Sequence, residues 1–261
     1  MSAGSAPRPR VFLTGASSGL GRAFAHYYAR RGACLGLVAR RAEMLRALCD
    51  ELPGEHLALT ADVGDRHQLQ AAADRYIARF GAPDIVIANA GVSTGTLTEI
   101  AADLDAFEAV LRTNLLGMVA TFQPFVDAMR ARGSGRLVGV ASVAGVRGLP
   151  GAGAYSSSKA AAIAYLESLR VELRGSGVRV VTLAPGYVAT PMTAVNTYPM
   201  PFLLDADVAA RRMARAIAAG RSYAVVPWQM GVVAKLLRML PDPLFDALFA
   251  RAGRKTRGLP L

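Results

Sequence analysis

Apolar residues fall into two alternating patterns along this chain. Short runs that are apolar at most positions lie at 10–14, 34–39, 56–59, 84–88, 136–142, 178–184 and 222–227. Between them, apolar positions recur at helical spacing: after the first run through Arg31, then at 43–51, 65–80, 103–130, around 155–159, and at 205–220. Near-continuous apolar strands are what a parallel sheet needs when helices cover both of its faces. The alternation predicts a single α/β domain. The helix at 103–130 is expected to kink at Pro124, which lacks an N–H.

The pattern changes after residue 227. An apolar stretch at 228–240 carries Lys235 and Arg238, Pro241 and Pro243 break it, and Leu244, Phe245, Leu248 and Phe249 follow at helical spacing. Arg251, Arg254, Lys255 and Arg257 then form a basic tail. Three readings of 228–261 stand in order. The helices pack on the parent domain or across an oligomer, or they wall an apolar substrate pocket. Third, they lie in a membrane interface with the basic tail on anionic lipid.

Composition narrows the function. The chain has 261 residues, 52% of them hydrophobic, and a net charge of +11. Surface arginine on an ordinary globular protein accounts first for most of such a charge; it also suits a phosphorylated ligand, an anionic membrane or nucleic acid. No Lys/Arg run is interleaved with aromatics, which argues against nucleic acid. Cys34 and Cys49 lack metal-ligand spacing and fit a reducing compartment, so no metal is expected. Residues 1–9 read as a frayed leader without the apolar core of a signal peptide, and no apolar run is long enough to span a bilayer. The expected location is the cytoplasm, with peripheral contact at the inner face of a membrane as the variant.

Candidate chemistry begins at the first strand. Thr14 leads into Gly15-Ala16-Ser17-Ser18-Gly19-Leu20-Gly21 and then a helix. A strand, a glycine turn and a helix N-terminus make an anion site, and the glycines let backbone approach a pyrophosphate. The second strand ends at Arg40-Arg41 with no acid. A carboxylate there would bond a ribose 2′-hydroxyl, whereas arginine accommodates a 2′-phosphate. That favours NADP(H), with Arg40 the first candidate and Arg41 the second. Asp62-Val63 follows the third strand, where Asp62 can accept from the adenine amino group. Small residues Asn89-Ala90-Gly91 end the fourth strand and let a ligand pass close. Tyr155 and Lys159 stand four apart, on one face of a helix. An ammonium beside a phenol favours the phenolate. Bringing a phenol from ~10 to neutrality takes roughly 4 kcal/mol.

Thr14-Gly15-x-x-x-Gly19-x-Gly21, Asn89-Ala90-Gly91, Ser142, Tyr155-x-x-x-Lys159 and Pro185-Gly186 occur in this order. The set resembles the short-chain dehydrogenase/reductase family from residue 10 to about 227. The resemblance implies a Rossmann-type, doubly wound, seven-stranded parallel sheet in the order 3-2-1-4-5-6-7, with helices on both faces. It implies hydride transfer between a nicotinamide cofactor and a carbonyl or alcohol carbon. By the same resemblance Tyr155 is the general acid/base, Lys159 lowers its pKa and bonds the nicotinamide ribose, and Ser142 orients the substrate oxygen. Asn114 holds a water through its backbone carbonyl. Val188 and Thr190 close over the nicotinamide.

On this reading residues 10–227 bind NADPH/NADP+ and carry the catalysis, and 228–261 extend the same domain. Residues 191–204 suggest an apolar lid whose Met192, Tyr198, Met200 and Phe202 face a long or apolar substrate. The partners are a small carbonyl or alcohol and a second copy of the chain, as homodimer or homotetramer. The competing classes are a non-catalytic dinucleotide sensor or scaffold and a membrane-surface module.

Overall fold

The computed structural model describes residues 8–259. The strands of the main sheet are β1 (Arg10–Thr14), β2 (Cys34–Ala39), β3 (His56–Thr60), β4 (Ile85–Ala88), β5 (Gly135–Val140), β6 (Val178–Pro185) and β7 (Tyr223–Val226), and a separate parallel pair joins Val188–Ala189 to Leu204–Asp205. The helices are α1 (Gly19–Ala29), α2 (Ala42–Glu51), α3 (Arg66–Phe80), α4 (Asp103–Leu111), α5 (Gly117–Arg132), α6 (Gly153–Glu172), α7 (Ala206–Ala218), α8 (Trp228–Met239) and α9 (Asp242–Phe249).

All seven strands pair in parallel in the order β3-β2-β1-β4-β5-β6-β7, as the sequence predicts. The order reverses between β1 and β4, which opens a crevice at the strand C-termini. Two apolar layers cover the sheet. One carries Phe24, Leu35, Leu45 and Met213, on α1, β2, α2 and α7. The other carries Phe12, Tyr76, Phe125 and Leu166, on β1, α3, α5 and α6. Phe12 points into the second layer, edge-on to Tyr76 with ring centroids 5.4 Å apart. β2 is buried along its whole length, which explains why it reads as an unbroken apolar run.

The segment at 103–130 departs from expectation. Pro124 sits inside α5, and the interruption lies upstream, where Arg112–Leu116 form a π-turn. All five residues of that turn tolerate an ordinary helix, so the sequence carries no mark of it. Its cause is tertiary. Buried Asn114 donates to Val92 O (3.0 Å) and Ser158 Oγ (3.0 Å) and accepts from Val92 N (2.9 Å).

The C-terminal segment is seated on the body. Arg147 donates to the carbonyls of Leu237 and Leu240 at the end of α8, both at 2.6 Å, and pairs with Asp242 at 2.7 Å. Its guanidinium also lies 3.9 Å from the Phe245 ring centroid. The tail then runs back beside residues 94–97: Gly95 N donates to Thr256 O (2.8 Å) and Leu259 N to Thr94 Oγ1 (3.2 Å). Arg257 forms a two-pronged pair with Asp103, and Lys255 donates to Asn196 Oδ1 (3.3 Å). Two of the four basic tail residues are thus turned to the protein rather than to lipid. Of the proposed leader, residues 1–7 lie outside the described residues. No described helix is long and apolar enough to cross a membrane.

Candidate active site

The crevice at the β1/β4 reversal is built by interlocking the glycine loop with the end of β4. The Thr14 hydroxyl accepts from the backbone N–H of Asn89 and of Ala90, each at 3.2 Å. Asn89 Nδ2 returns bonds to Thr14 O (3.0 Å) and Gly15 O (3.3 Å). Gly15 has φ +67, and a Cβ there would stand 2.7 Å from Ala90 Cα. A Cβ on Gly21 would meet Gly15 O at 2.0 Å, so helix and loop can approach this closely only with glycine. α1 opens with Ser18 at its N-cap, yet the Ser18 side chain makes no capping bond. The first N–H groups of α1 are left to a ligand, the usual basis of an anion site.

The Ser18 hydroxyl is engaged elsewhere. Arg41 Nη2 donates to Ser17 Oγ (2.9 Å) and Ser18 Oγ (3.0 Å). Arg40 points the other way, with Nη1 4.0 Å from Asp62 Oδ2. Asp62 Oδ1 accepts from Gly64 N at 2.8 Å. The sequence ranks Arg40 first, but the guanidinium resting on the glycine loop is that of Arg41. Both line the same cleft, together with Asp62 and Val63.

At the other end of the cleft, β5 leads to Ser142, whose Oγ accepts from Ala144 N (3.1 Å) and caps a 3-10 turn. The Ser142 hydroxyl thereby keeps its proton for a second acceptor, the Tyr155 oxygen here. Tyr155 and Lys159 stand on α6. Burial pushes the Tyr155 phenol above its usual 10, and a side-chain hydrogen bond with Ser142 pulls it partly back. Lys159 is buried, donates from Nζ to Val140 O (2.8 Å), and lies 5.7 Å from the Tyr155 ring centroid. Burial alone pulls its pKa from 10.5 to about 8. The sequence expects a phenol lowered by its lysine; here burial outweighs the Ser142 hydrogen bond and the phenol is raised. The two groups are both desolvated, and desolvation opposes both charged forms.

Gly91 joins this end to the π-turn. A Cβ on it would lie 3.3 Å from Asn114 Oδ1 and 3.6 Å from Lys159 Nζ. The Asn114 side chain is spent on Val92 and Ser158, which leaves only its backbone carbonyl for any water-holding role. π-turns recur at functional sites.

Every residue predicted to bind cofactor lines this cleft, from Gly15, Ser17, Ser18, Gly19, Leu20 and Gly21 to Pro185, Gly186, Val188 and Thr190. Ser142, Tyr155, Lys159 and Met192 line it as well. Tyr198, Met200 and Phe202 do not. Tyr198 lies beside Gly253 and has its ring centroid 6.3 Å from that of Tyr187. Met200 accepts from Asn196 Nδ2 (3.5 Å), and Phe202 is exposed at φ +57. Sequence reasoning missed Ala39, Ala61, Val92, Thr113, Val140, Ala141, Pro191 and Thr193. Most sit at or just past strand ends, where an open α/β sheet presents backbone to a ligand. Thr113 had only its adjacency to Asn114 as a signal.

Comparison with known proteins agrees with this geometry. The family described as short chain dehydrogenase matches residues 9–199. A Myxococcus xanthus protein described as an uncharacterized oxidoreductase is 41% identical over 244 residues, covering 92% of this chain and 96% of its own. Dehydrogenase/reductase SDR family member 7B of Bos taurus is 32% identical over 268 residues, covering 95% of this chain and 82% of its own. A Bos taurus 3-oxoacyl-[acyl-carrier-protein] reductase is 34% identical over 179 residues, or 69% of this chain and 75% of its own.

Among solved structures, a Burkholderia phymatum short chain dehydrogenase/reductase in complex with NAD superposes with a TM-score of 0.81 at 27% identity, covering 97% of this chain and 98% of its own. An alcohol dehydrogenase from the archaeon Thermococcus sibiricus, complexed with 5-hydroxy-NADP, gives 0.74 at 26% identity, covering 84% of this chain and 96% of its own. Sheet order, glycine cradle and sequence likeness converge: the chain belongs to the short-chain dehydrogenase family of oxidoreductases, whose fold binds a nicotinamide dinucleotide.

Proposed function

We propose that the chain interconverts a carbonyl and an alcohol with NADP(H), works toward reduction, and takes an apolar substrate. The observation that carries this reading is the joint placement of Ser142, Tyr155 and Lys159 in the cleft that the glycine loop also lines. A dinucleotide sensor would need the cradle but not the half-buried tyrosine with the buried serine and lysine at its far end.

The roles follow from the bonds. The N–H groups at the start of α1 and the glycine loop suit a pyrophosphate. The Arg41 guanidinium with the Ser17 and Ser18 hydroxyls supplies the donors a 2′-phosphate needs, and β2 itself ends in Arg40-Arg41 rather than an acid, the nearby Asp62 facing Arg40. When bound, the nicotinamide gives or takes the hydride at the substrate carbon. Tyr155 protonates the developing alkoxide as general acid, and in oxidation it accepts that proton. Ser142, its Oγ already accepting from Ala144 N, donates to the substrate oxygen. Lys159 bonds the ribose and, as a cation, opposes the rise that burial imposes on the phenol. The Asn114 carbonyl holds the water that resupplies the proton. Met192 in the cleft, and the acyl carrier substrate in the name of one bovine relative, favour an apolar chain beyond the carbonyl.

The test is the initial rate of NADPH oxidation on ketones and aldehydes of rising chain length. Each buried methylene adds about 0.8 kcal/mol, close to fourfold in kcat/KM. A steep rise supports the apolar pocket. A flat profile with turnover keeps the reductase and rejects the apolar substrate. No turnover on any carbonyl, with NADPH bound, would return the protein to the sensor class. Arg41→Ala is expected to weaken NADPH by about tenfold or more and NADH little, because a charge-assisted bond is worth about 1.5–3 kcal/mol. Equal weakening of both would reject the 2′-phosphate role.

A further inference from the structure

A surface helix in water presents polar residues outward. α8 and α9 present large apolar residues outward as well. Trp228, Val232, Leu236 and Met239 on α8, with Leu244 and Leu248 on α9, are between 47% and 78% exposed. The α8 residues follow one another at spacings of four, four and three, so they share one face. The inner faces of the same helices are already satisfied: Met230, Ala234 and Phe245 are buried, and Arg147 ties the α8 terminus to the body. The apolar stripe is therefore not a core face that lost its place. Six large apolar side chains on two consecutive helices form the kind of patch that marks a contact surface.

Charge selects the occupant. Lys235 lies beside the stripe and Arg238 next to it around the helix, and both are exposed. Arg251 follows α9 and is exposed too. The acids on the two helices are Asp242 and Asp246, and Asp242 is held by Arg147. A second copy meeting this face across a two-fold axis would bring these cations toward their own counterparts. An anionic bilayer would meet them with opposite charge while its acyl boundary takes the stripe and the indole of Trp228 sits at headgroup depth.

We propose that α8 and α9 form a docking face for an anionic lipid surface. This goes beyond the reaction, and it places the bilayer near the cleft, because Arg147 belongs to the connection between Ser142 and Tyr155. An apolar substrate can then enter from lipid without crossing water.

The experiment is co-sedimentation of the full chain with vesicles of phosphatidylcholine alone or with about 30% phosphatidylglycerol. Three proteins are compared: wild type, Trp228→Ser/Leu236→Ser/Met239→Ser, and Lys235→Ser/Arg238→Ser. Wild type is expected to bind anionic vesicles about tenfold or more over neutral ones, and to release as salt rises. The apolar variant should lose about tenfold or more, and the cation variant about fivefold per charge. Both should keep NADPH binding and turnover of a water-soluble ketone, which also reports that they fold. Equal pelleting of all three proteins, or no preference for anionic vesicles, overturns the proposal. It is also overturned if wild type ignores vesicles and the apolar variant lowers the mass seen by light scattering, since the face then joins two copies of the chain.

Discussion

Lys159 should make the ligand-free protein more stable as the solution becomes alkaline. Its ammonium is removed from water, and burial lowers its pKa from 10.5 to about 8. The folded-state value lies below the unfolded one. Between the two, the unfolded chain binds more protons, so stability rises with pH across that window. Below about pH 8 both states are protonated and the full penalty stands, on the order of 3 kcal/mol at ~1.4 kcal/mol per pH unit. Between pH 7.5 and 9.5 the lysine should contribute a gain of about 2 kcal/mol. Urea unfolding at steps across that range, in wild type and Lys159→Met, isolates it. The comparison matters because Lys255 is lowered by burial too and acts in the same sense. Buried Tyr28 and Tyr76 act in the opposite sense, but only above about pH 10, where the unfolded phenol loses its proton and the folded one keeps it. The wild-type curve should climb against a flatter variant curve. Parallel curves would refute the claim that Lys159 is held desolvated.

Two further substitutions test the architecture. Thr14→Val keeps shape but leaves the Asn89 and Ala90 N–H groups without their shared acceptor. It should cost about 2–4 kcal/mol in urea unfolding and weaken dinucleotide binding, while Thr14→Ser retains most of both. Arg147→Ala removes the two carbonyl bonds at the end of α8 and the contact with Phe245. It should speed hydrogen exchange in α8 and α9 at least tenfold and raise KM for substrate more than it lowers kcat.

What the sequence made legible was local. The glycine loop, Asn89-Ala90-Gly91 and the Tyr155/Lys159 pair each lie within a few residues, and their geometry follows from one turn or one helix face. Continuous apolar strands likewise announced a sheet covered on both sides. What stayed hidden depends on distant partners. The π-turn around Asn114 is imposed by Val92 and Ser158 across the fold. Arg40 and Arg41 are neighbours in sequence. They diverge because Arg41 sits at the start of α2 in extended backbone, where its side chain reaches Ser17 and Ser18. One of the three readings sets the basic tail against anionic lipid, yet Arg257 finds Asp103 at a separation of 154 residues. The apolar residues of 191–204 read as one lid, but the cleft is lined by its first residues, Pro191 and Met192, while Tyr198 is drawn to the returning tail.

The central claim is that Tyr155 moves the proton while other groups hold the cofactor. Tyr155→Phe, studied by NADPH fluorescence titration and by turnover of a soluble ketone, tests it most directly. The account predicts an NADPH Kd within about threefold of wild type and kcat lower by about 10²–10⁴, the usual worth of a positioned acid. Turnover that survives the substitution, with its pH profile unchanged, would contradict it.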